Sequence, residues 1–489
     1  MHILRRIIEF MDKSDINKKL VEQVTDRDVD FAKWYTDVCL KAKLAAYSPV
    51  RGCMYVHPYG TALWENIKAG LENRFKATGH ENVMLPMFIP EGLLQKEKDH
   101  VEGFAPEVAW ITHGGSEKLT ERLCARPTSE VLFCDYYKNE IQSWRDLPKL
   151  YNQWANVVRW EKTTRPFLRT MEFFWQEGHT MHETAEEARN ETKRMLDVYA
   201  EFCETQLAIP VIKGRKTDKE KFAGAMETYT IEAMMHDGVA LQSGTSHYFG
   251  DGFARAFDIK FTGRDGKLYN PHQTSWGMST RIIGGIIMVH GDNSGLVLPP
   301  NIAPIQVVVI PIASHKEGVL KAASDLYERI NKVTRAKIDT SENSPGWKFA
   351  EYEMKGVPLR IEVGPRDIEA GTCVAVRRDS GAKVEIKISD LGLRIPEILK
   401  DIQDSLYAKA LKRRESMTYT ANSLKEITDI AKTKPGFVLS GWCGSQKCED
   451  EIKEKAGLSA RCIAPDKKPS GTCSCGKPAK HMVYWGKQY

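Results

Sequence analysis

The chain has 489 residues, enough for two to four domains with substantial cores. Hydrophobic residues make up 42%, ordinary for a globular protein, and no apolar run is long enough to span a bilayer, which excludes a helical membrane protein. Lys and Arg number 70 against 65 Asp and Glu, a net charge of +5 that permits a nucleic-acid partner without demanding one.

The opening "MHILRRIIEF" is basic, with a very short apolar run and no small-residue cleavage site, so it is not read as a secretory signal. Residues 1–24 are expected to form an extension. A weak organellar presequence, or Met11 as the true start, are the alternatives. "DFAKWYTDVCLKAKLA" then sets Phe31, Trp34, Tyr35, Val38 and Ala42 at helical spacing. "TALWENIKAGLENRFKATG" does the same with Leu63, Ile67, Leu71 and Phe75, and Gly79 is placed to stop it. "NVMLPMF" predicts a short strand broken by Pro86, hence an edge or an end.

"KLYNQWANVVRWE" and "RTMEFFWQEGHTM" predict two strands of a hairpin, joined by the polar "KTTRP". "TAEEARNETKRMLDVYAEFCETQ" is an amphipathic helix. "GVALQSGTSHYFG", "ARAFDIKFTG" and "LYNPHQTSWGMS" read as further antiparallel strands, and "TRIIGGIIMVHG" as a buried helix. Residues 25–300 are therefore expected to be α+β, one antiparallel sheet with helices beside it. Gly and Pro cluster in "GDNSGLVLPPNIAP", as linkers do. The β-branched "IQVVVIPI" follows, then helix, strand, a helix opening at Pro345 and the strand "PLRIEVG". That alternation predicts a small doubly wound α/β unit over 301–405. The stretch "LYAKALKRRESMTYTANSLKEITDIAKTKPG" reads as helical and basic, opening a last unit over 406–489.

Five of the 11 cysteines fall in the final 49 residues. Cys39, Cys53, Cys124, Cys134, Cys203 and Cys373 are scattered, as free thiols in a reducing compartment are. Cys443 and Cys448 form C-x4-C, and Cys473 and Cys475 form C-x-C. Two close pairs joined by a longer loop are the pattern of a four-thiolate structural zinc site. Free thiols or a disulfide are the competing readings, and a reducing compartment disfavours the disulfide.

One stretch, "RWEKTTRPFLRTMEFFWQEGH" over 159–179, concentrates both charge signs and several rings. Strand alternation puts Arg159 and Glu161 on one face, Arg169 on the returning side, and Glu177 and His179 together. Guanidinium grips phosphate and carboxylate with two prongs, rings stack on bases, and carboxylates bind amines. The set suits a phosphate, a flat base and an amino group held together. For any one of these residues, a solvated cross-strand ion pair is the competing reading. Their joint occurrence favours binding.

With "RPTSE" (126–130), "LQSGTSHYFG" and "SWGMSTRIIG", this stretch gives the chain a resemblance to class II aminoacyl-tRNA synthetases. Within that class it resembles the prolyl enzymes of the archaeal/eukaryote-like type, from about Gln23 to the last residue. The resemblance implies an α+β catalytic domain with an antiparallel sheet, an α/β anticodon-binding domain and a small α+β zinc-binding C-terminal domain. It implies activation of L-proline by ATP with Mg²⁺, transfer to tRNA(Pro), and a cytoplasmic homodimer paired through the strand at Pro86. Thr128 and Glu130 would hold the proline amine. Arg159 would bridge the substrate carboxylate and the α-phosphate, and Trp175, Glu177, His179 and His247 would line the proline pocket. Glu161, Arg169, Thr170, Phe173, Gln242, Thr245, Ser279 and Arg281 would serve ATP, with Phe173 on adenine, Gln242 also on magnesium and Arg281 on the outer phosphates. The family often has threonine where Ser279 stands, which keeps the hydroxyl.

Trp347, Arg360, Glu362 and Arg366 would read the anticodon. The flanking cysteine pairs would hold the zinc, leaving Cys462 aside, and Tyr489 would tuck toward the catalytic site, as the family's terminal tyrosine does. Bacterial-type prolyl enzymes carry a large editing domain between motifs two and three. Between His179 and Gln242 there is room only for a helix and a short charged segment, so no editing in cis is expected. A threonyl enzyme would bring zinc ligands into the pocket, and the "TSE…WQEGH" context argues against it. A non-catalytic paralogue would not need the complete set of ATP groups.

Overall fold

The computed structural model describes residues 23–96 and 108–489. Nearly all of the expected extension, with both candidate starts, lies outside the described residues. Helix α1 (Phe31–Lys41) buries Trp34, Tyr35, Val38 and Cys39, the face its spacing predicts, and Asp30 caps it by accepting from the Lys33 amide. Helix α2 (Pro58–Ala77) opens with proline at N1 and buries Leu63, Ile67, Leu71 and Phe75. The strand expected over 82–88 does not form as one element. The chain instead makes a two-residue strand β1 (Glu81–Asn82), then a separate strand over Phe88–Pro90. Pro86 has no N–H to give a ladder, and the Leu85 amide donates to the Gln153 side chain at 3.2 Å. Phe88–Pro90 pairs instead with Glu117–Ala125, whose other neighbour is Ala109–Gly114.

Helix α3 (Glu130–Glu140) leads to the expected hairpin, β2 (Lys149–Val158) and β3 (Glu172–His182), paired antiparallel along ten residues. Helix α4 (Ala185–Thr205) is set by a capping box of Thr184 and Glu187. Strands β4 (Val211–Arg215), β5 (Glu227–Met234), β6 (Ala240–Gly250) and β7 (His272–Ser279) follow, then the apolar helix α5 (Arg281–His290). "ARAFDIKFTG" is not the strand expected. It forms a short helix, Gly252–Ala256, a left-handed turn at Asp258 and the two-residue strand Phe261–Thr262. The core lies between the sheet and its helices. Phe75 of α2, Tyr199 of α4 and Trp276 of β7 meet there, with ring centroids 5.1–6.3 Å apart.

The second unit is a five-stranded sheet of β8 (Val307–Pro311), β9 (Ala336–Ile338), β10 (Leu359–Val363), β11 (Thr372–Arg377) and β12 (Lys383–Lys387) in the order β9-β8-β10-β11-β12. The first three strands are parallel, as expected for an α/β unit, but β11 and β12 add an antiparallel hairpin. Helices α6 (Val319–Asn331) and α7 (Pro345–Met354) are the crossovers. The 26-residue α8 (Leu391–Ser416) leads out.

The helix expected to continue past Ser416 stops there. "TYTA" is strand β13 (Thr418–Ala421), and helix α9 (Leu424–Thr433) restarts behind its cap, Ser423. Strand β14 (Phe437–Trp442), helix α10 (Gln446–Ala456) and strands β15 (Ser459–Ile463) and β16 (His481–Gly486) complete the chain. Strand β15 pairs with β4 at Ile463 and Arg215, so the last unit extends the central sheet to eleven strands, β13-β14-β16-β15-β4-β5-β6-β7-β3-β2-β1. Among the described residues no helix is long and apolar enough to cross a membrane.

Candidate active site

The sheet presents a cavity of about 210 Å³, lined from β3, β5, β6 and β7. Register explains which side chains reach it. Thr228, His247, Ser275 and His179 form one row across four strands, and Thr245, Gly277 and Glu177 the next. Paired residues share a face, so each row projects together. Gly277 leaves the middle of its row open. Simple alternation would put Gln242 and Thr245 on opposite faces. A bulge at Ser243, where Ile231 pairs with Gly244 but Glu232 with Gln242, turns both into the cavity.

One part of the cavity is cationic. Arg159 lies just past the end of β2, so the alternation expected for Arg159 and Glu161 does not apply, because the strand stops at Val158. It is placed by other means. Its amide donates to the Met171 carbonyl at 2.8 Å and its Nε to the Pro127 carbonyl at 3.0 Å. The guanidinium stands 5.4 Å from the Phe173 ring and 5.5 Å from Trp175. Arg281 opens α5, its amide donating to Ser279 Oγ at 3.2 Å and its Nε to the Leu168 carbonyl at 3.1 Å. Burial, then neighbouring Arg159 and Arg169, pull Arg281 down to about 10, with Glu161 and Glu232 opposing. It stays charged at neutral pH. Arg169 and Glu161 sit 3.7 Å apart and outside the cavity lining. Thr170 is buried outside it too, its hydroxyl donating to the Glu172 carbonyl at 2.7 Å.

The other part is acidic and ring-lined. Glu130 stands in the first turn of α3, where the helix dipole favours an anion. It accepts from Thr128 Oγ1 at 2.5 Å and Ser275 Oγ at 3.2 Å. Glu177 accepts from Ser129 Oγ and Gln153 Nε2, both at 2.6 Å, and meets His179 Nε2 at 3.0 Å. It therefore braces the start of α3 as well as the wall. His247 is held on both nitrogens, by Thr228 Oγ1 at 2.9 Å and Thr245 Oγ1 at 3.1 Å. Burial pulls it down to about 4 against the pull of Glu130, so it is neutral at pH 7. Such a cavity can hold a polyanion and flat ring by its guanidiniums and an ammonium group by Glu130.

Several lining residues were not anticipated. Ser275 could have been found by stepping back in twos from Ser279 along β7. Glu220, Phe222 and Trp276 could not, since the first two sit in an aperiodic loop and Trp276 reads as core.

The Sγ atoms of Cys443, Cys448, Cys473 and Cys475 lie within 4.8 Å of one another. Cys443 is 3.7 Å from Cys448 and 3.9 Å from Cys475. Thiolates about 2.3 Å from a tetrahedral zinc stand about 3.8 Å apart, so these four fit a metal ion. Against burial, which raises it, the amides of Cys475 and Cys443 pull the Cys473 thiol down to about 7. Cys462 is buried apart from this group, behind Gly214.

Tyr489 is docked. Its amide donates to the Ala240 carbonyl at 3.1 Å, and its hydroxyl to Asp237 at 2.5 Å. The Arg165 guanidinium, from the loop joining β2 to β3, is 6.0 Å from the Tyr489 ring. Tyr489 does not line the cavity. In the second unit, Arg360 is mostly buried and bridges Glu362 at 2.9 Å and Glu353 at 3.0 Å. Trp347 lies in the first turn of α7 and Arg366 is exposed just beyond β10.

Three family profiles match the chain. They are the tRNA synthetase class II core domain (G, H, P, S and T) over 112–290, the anticodon binding domain over 306–398, and the prolyl-tRNA synthetase C-terminal domain over 424–489. The proline–tRNA ligase of Ruminiclostridium cellulolyticum is 63% identical over 475 residues, 97% of this chain and 99% of that protein. That of Clostridium novyi is 62% identical over 474 residues, 96% of this chain and 99% of its own length. Proline–tRNA ligase 2 of Bacillus cereus is 61% identical over 474 residues, 96% and 100% of the two chains.

Proposed function

This chain belongs to the proline–tRNA ligase family of class II aminoacyl-tRNA synthetases, and from that premise we propose that it activates L-proline with ATP and transfers it to the 3′ end of tRNA(Pro). The observation that carries the reading is the divided cavity, with Arg159 and Arg281 beside Phe173 in one part and buried Glu130 among hydroxyls and neutral His247 in the other. The proline carboxylate attacks the α-phosphorus of ATP in line, pyrophosphate leaves, and prolyl-adenylate remains. Charge builds on phosphate oxygens, so fixed cations serve this step better than a general base. Arg159 is assigned to the substrate carboxylate and α-phosphate, and Arg281 to the outer phosphates. Phe173 is assigned to adenine. Glu161, Arg169, Thr170, Thr245 and Ser279 are assigned to the rest of ATP, and Gln242 to the magnesium that ATP carries. Thr128 and Glu130 take the cationic amine, with Trp175, Glu177, His179 and His247 around the ring. The terminal ribose hydroxyl of the tRNA then attacks the activated carbonyl and displaces AMP.

Only α4, β4, β5 and their connections separate β3 from β6, so the fold has no inserted editing domain there. The four cysteines are assigned to zinc, whose closed thiolate shell makes it structural. They form the one group of three or more metal-ligating side chains found among the described residues, and none lines the cavity, which argues against a threonyl enzyme. Trp347, Arg360, Glu362 and Arg366 are assigned to the anticodon, single-stranded and open to stacking and edge contacts. A second copy of the chain is assigned to the apolar surface of Met84, Met87, Phe88 and Trp110, where Met84 is 97% exposed. All eleven cysteines are unpaired as disulfides, which suits the cytoplasm. Proline-dependent ATP–pyrophosphate exchange, run across the amino acids, tests the reading. Exchange with proline and no tRNA is expected, and exchange with threonine but not proline would overturn it.

A further inference from the structure

Between β4 and β5, residues 216–226 cross without helix or strand, and two of them, Glu220 and Phe222, wall the cavity. The Phe222 ring lies 4.7 Å from that of His247. Its amide donates to Thr228 Oγ1 at 3.0 Å, the same hydroxyl that meets His247 Nδ1 at 2.9 Å. The loop's own backbone contributes a few turn bonds, such as the Glu220 amide to the Thr217 carbonyl at 3.1 Å. Other ties come from the C-terminal unit. Thr217 Oγ1 donates to Glu449 Oε1 at 2.8 Å, and Lys219 pairs with Asp450 at 2.7 Å. At the loop's root, Lys216 shares the buried Glu232 carboxylate with Arg461, at 2.8 Å from each.

These ties differ in weight. Lys219 and Asp450 are solvent-exposed, and such pairs contribute little. The Lys216–Glu232–Arg461 cluster ties only the loop's first residue to strands β5 and β15, and none of the three lines the cavity. Thr217 and Glu449 are 1% and 2% exposed, and breaking their bond leaves a buried carboxylate short of a donor. Glu449 sits in the first turn of α10, one residue after Cys448.

We propose that Glu449, acting through Thr217, is a positioning residue for the amino-acid pocket: it fixes the loop so that Phe222 stands against His247. The proposal rests on the activation reaction above for its kinetic readout alone. Glu449→Ala and Thr217→Val, in the full chain, are compared with the unaltered protein in proline-dependent ATP–pyrophosphate exchange. Hydrogen–deuterium exchange over 216–226 is followed on the same samples. Each variant raises KM for proline roughly tenfold, the loss of one charged buried hydrogen bond, and leaves KM for ATP within about twofold. The double variant is no worse than either single, because one bond is shared. Glu449→Gln keeps an oxygen acceptor and recovers most of the proline KM. Loop amides exchange faster in both single variants. Unchanged proline KM or unchanged loop protection overturns the proposal, as does a parallel rise of both KM values with a lowered melting temperature. An unaltered chain without proline-dependent exchange indicts the activity instead, and loop protection then decides the positioning claim by itself.

Discussion

Arg159 gains its precision from backbone, not from a strand. The Pro127 and Met171 carbonyls fix its Nε and its amide, and two rings flank its guanidinium. In the proposed reaction charge develops where this fork points, so Arg159→Ala is expected to lower kcat/KM for proline-dependent exchange by about 10²–10³, with unchanged far-UV circular dichroism. Arg159→Lys recovers only part, since an ammonium lacks the planar two-pronged geometry. Full activity in Arg159→Ala would remove the basis of the assigned chemistry. Charge and ring content around 159–179 made this region legible, and alternation correctly paired Glu177 with His179. What stayed hidden was local backbone geometry. The end of β2 at Val158 and the bulge at Ser243 decide where Arg159 and Gln242 point, and neither leaves a periodic trace.

At the level of elements, long periodic helices and β-branched strands were legible, whereas pairings between distant segments were not. Nothing local to Arg215 or Ile463 announces that they meet, yet that contact fuses the cysteine-bearing unit to the central sheet. Strand β13 was missed because four residues between two helices give no window for a period of two. The cysteine spacing carried through as far as a cluster of four thiols that could hold a metal ion, because ligand geometry leaves its mark in spacing. On the proposed zinc reading, the thiolates tie the turn after β14 and the start of α10 to the loop before β16. Cys473→Ser should therefore lose bound metal and lower the apparent melting temperature by about 5 °C or more, with faster proteolysis within 424–489. Elemental analysis and calorimetry check this. Retained metal with an unchanged melting temperature would show that the four thiols are not a metal shell.

Across the whole molecule, packing has enclosed histidines from several elements in apolar or cationic surroundings. His182, His236, His247 and His290 are each pulled down to about 4, foremost by burial. Like charges add to this, Arg413 and Lys409 at both His236 and His290, while Glu191 at His182 and Glu130 at His247 oppose it. In the unfolded chain the same groups protonate near 6.5. Between those two values the unfolded state binds more protons than the folded one, so stability rises with pH there. The contribution is fully present above about pH 6.5, is lost as pH falls toward 4, and changes no further below that. Carboxylates held low by partners, such as Glu232 between Lys216 and Arg461, weaken the fold only at lower pH still. Acid destabilisation should thus begin near pH 6.5, well before carboxylates titrate, with these histidines taking up as many as four protons from solvent on unfolding near pH 5. Calorimetry at one pH in buffers of different ionisation enthalpy measures that uptake, and a melting temperature flat from pH 7 to about 5 would contradict it.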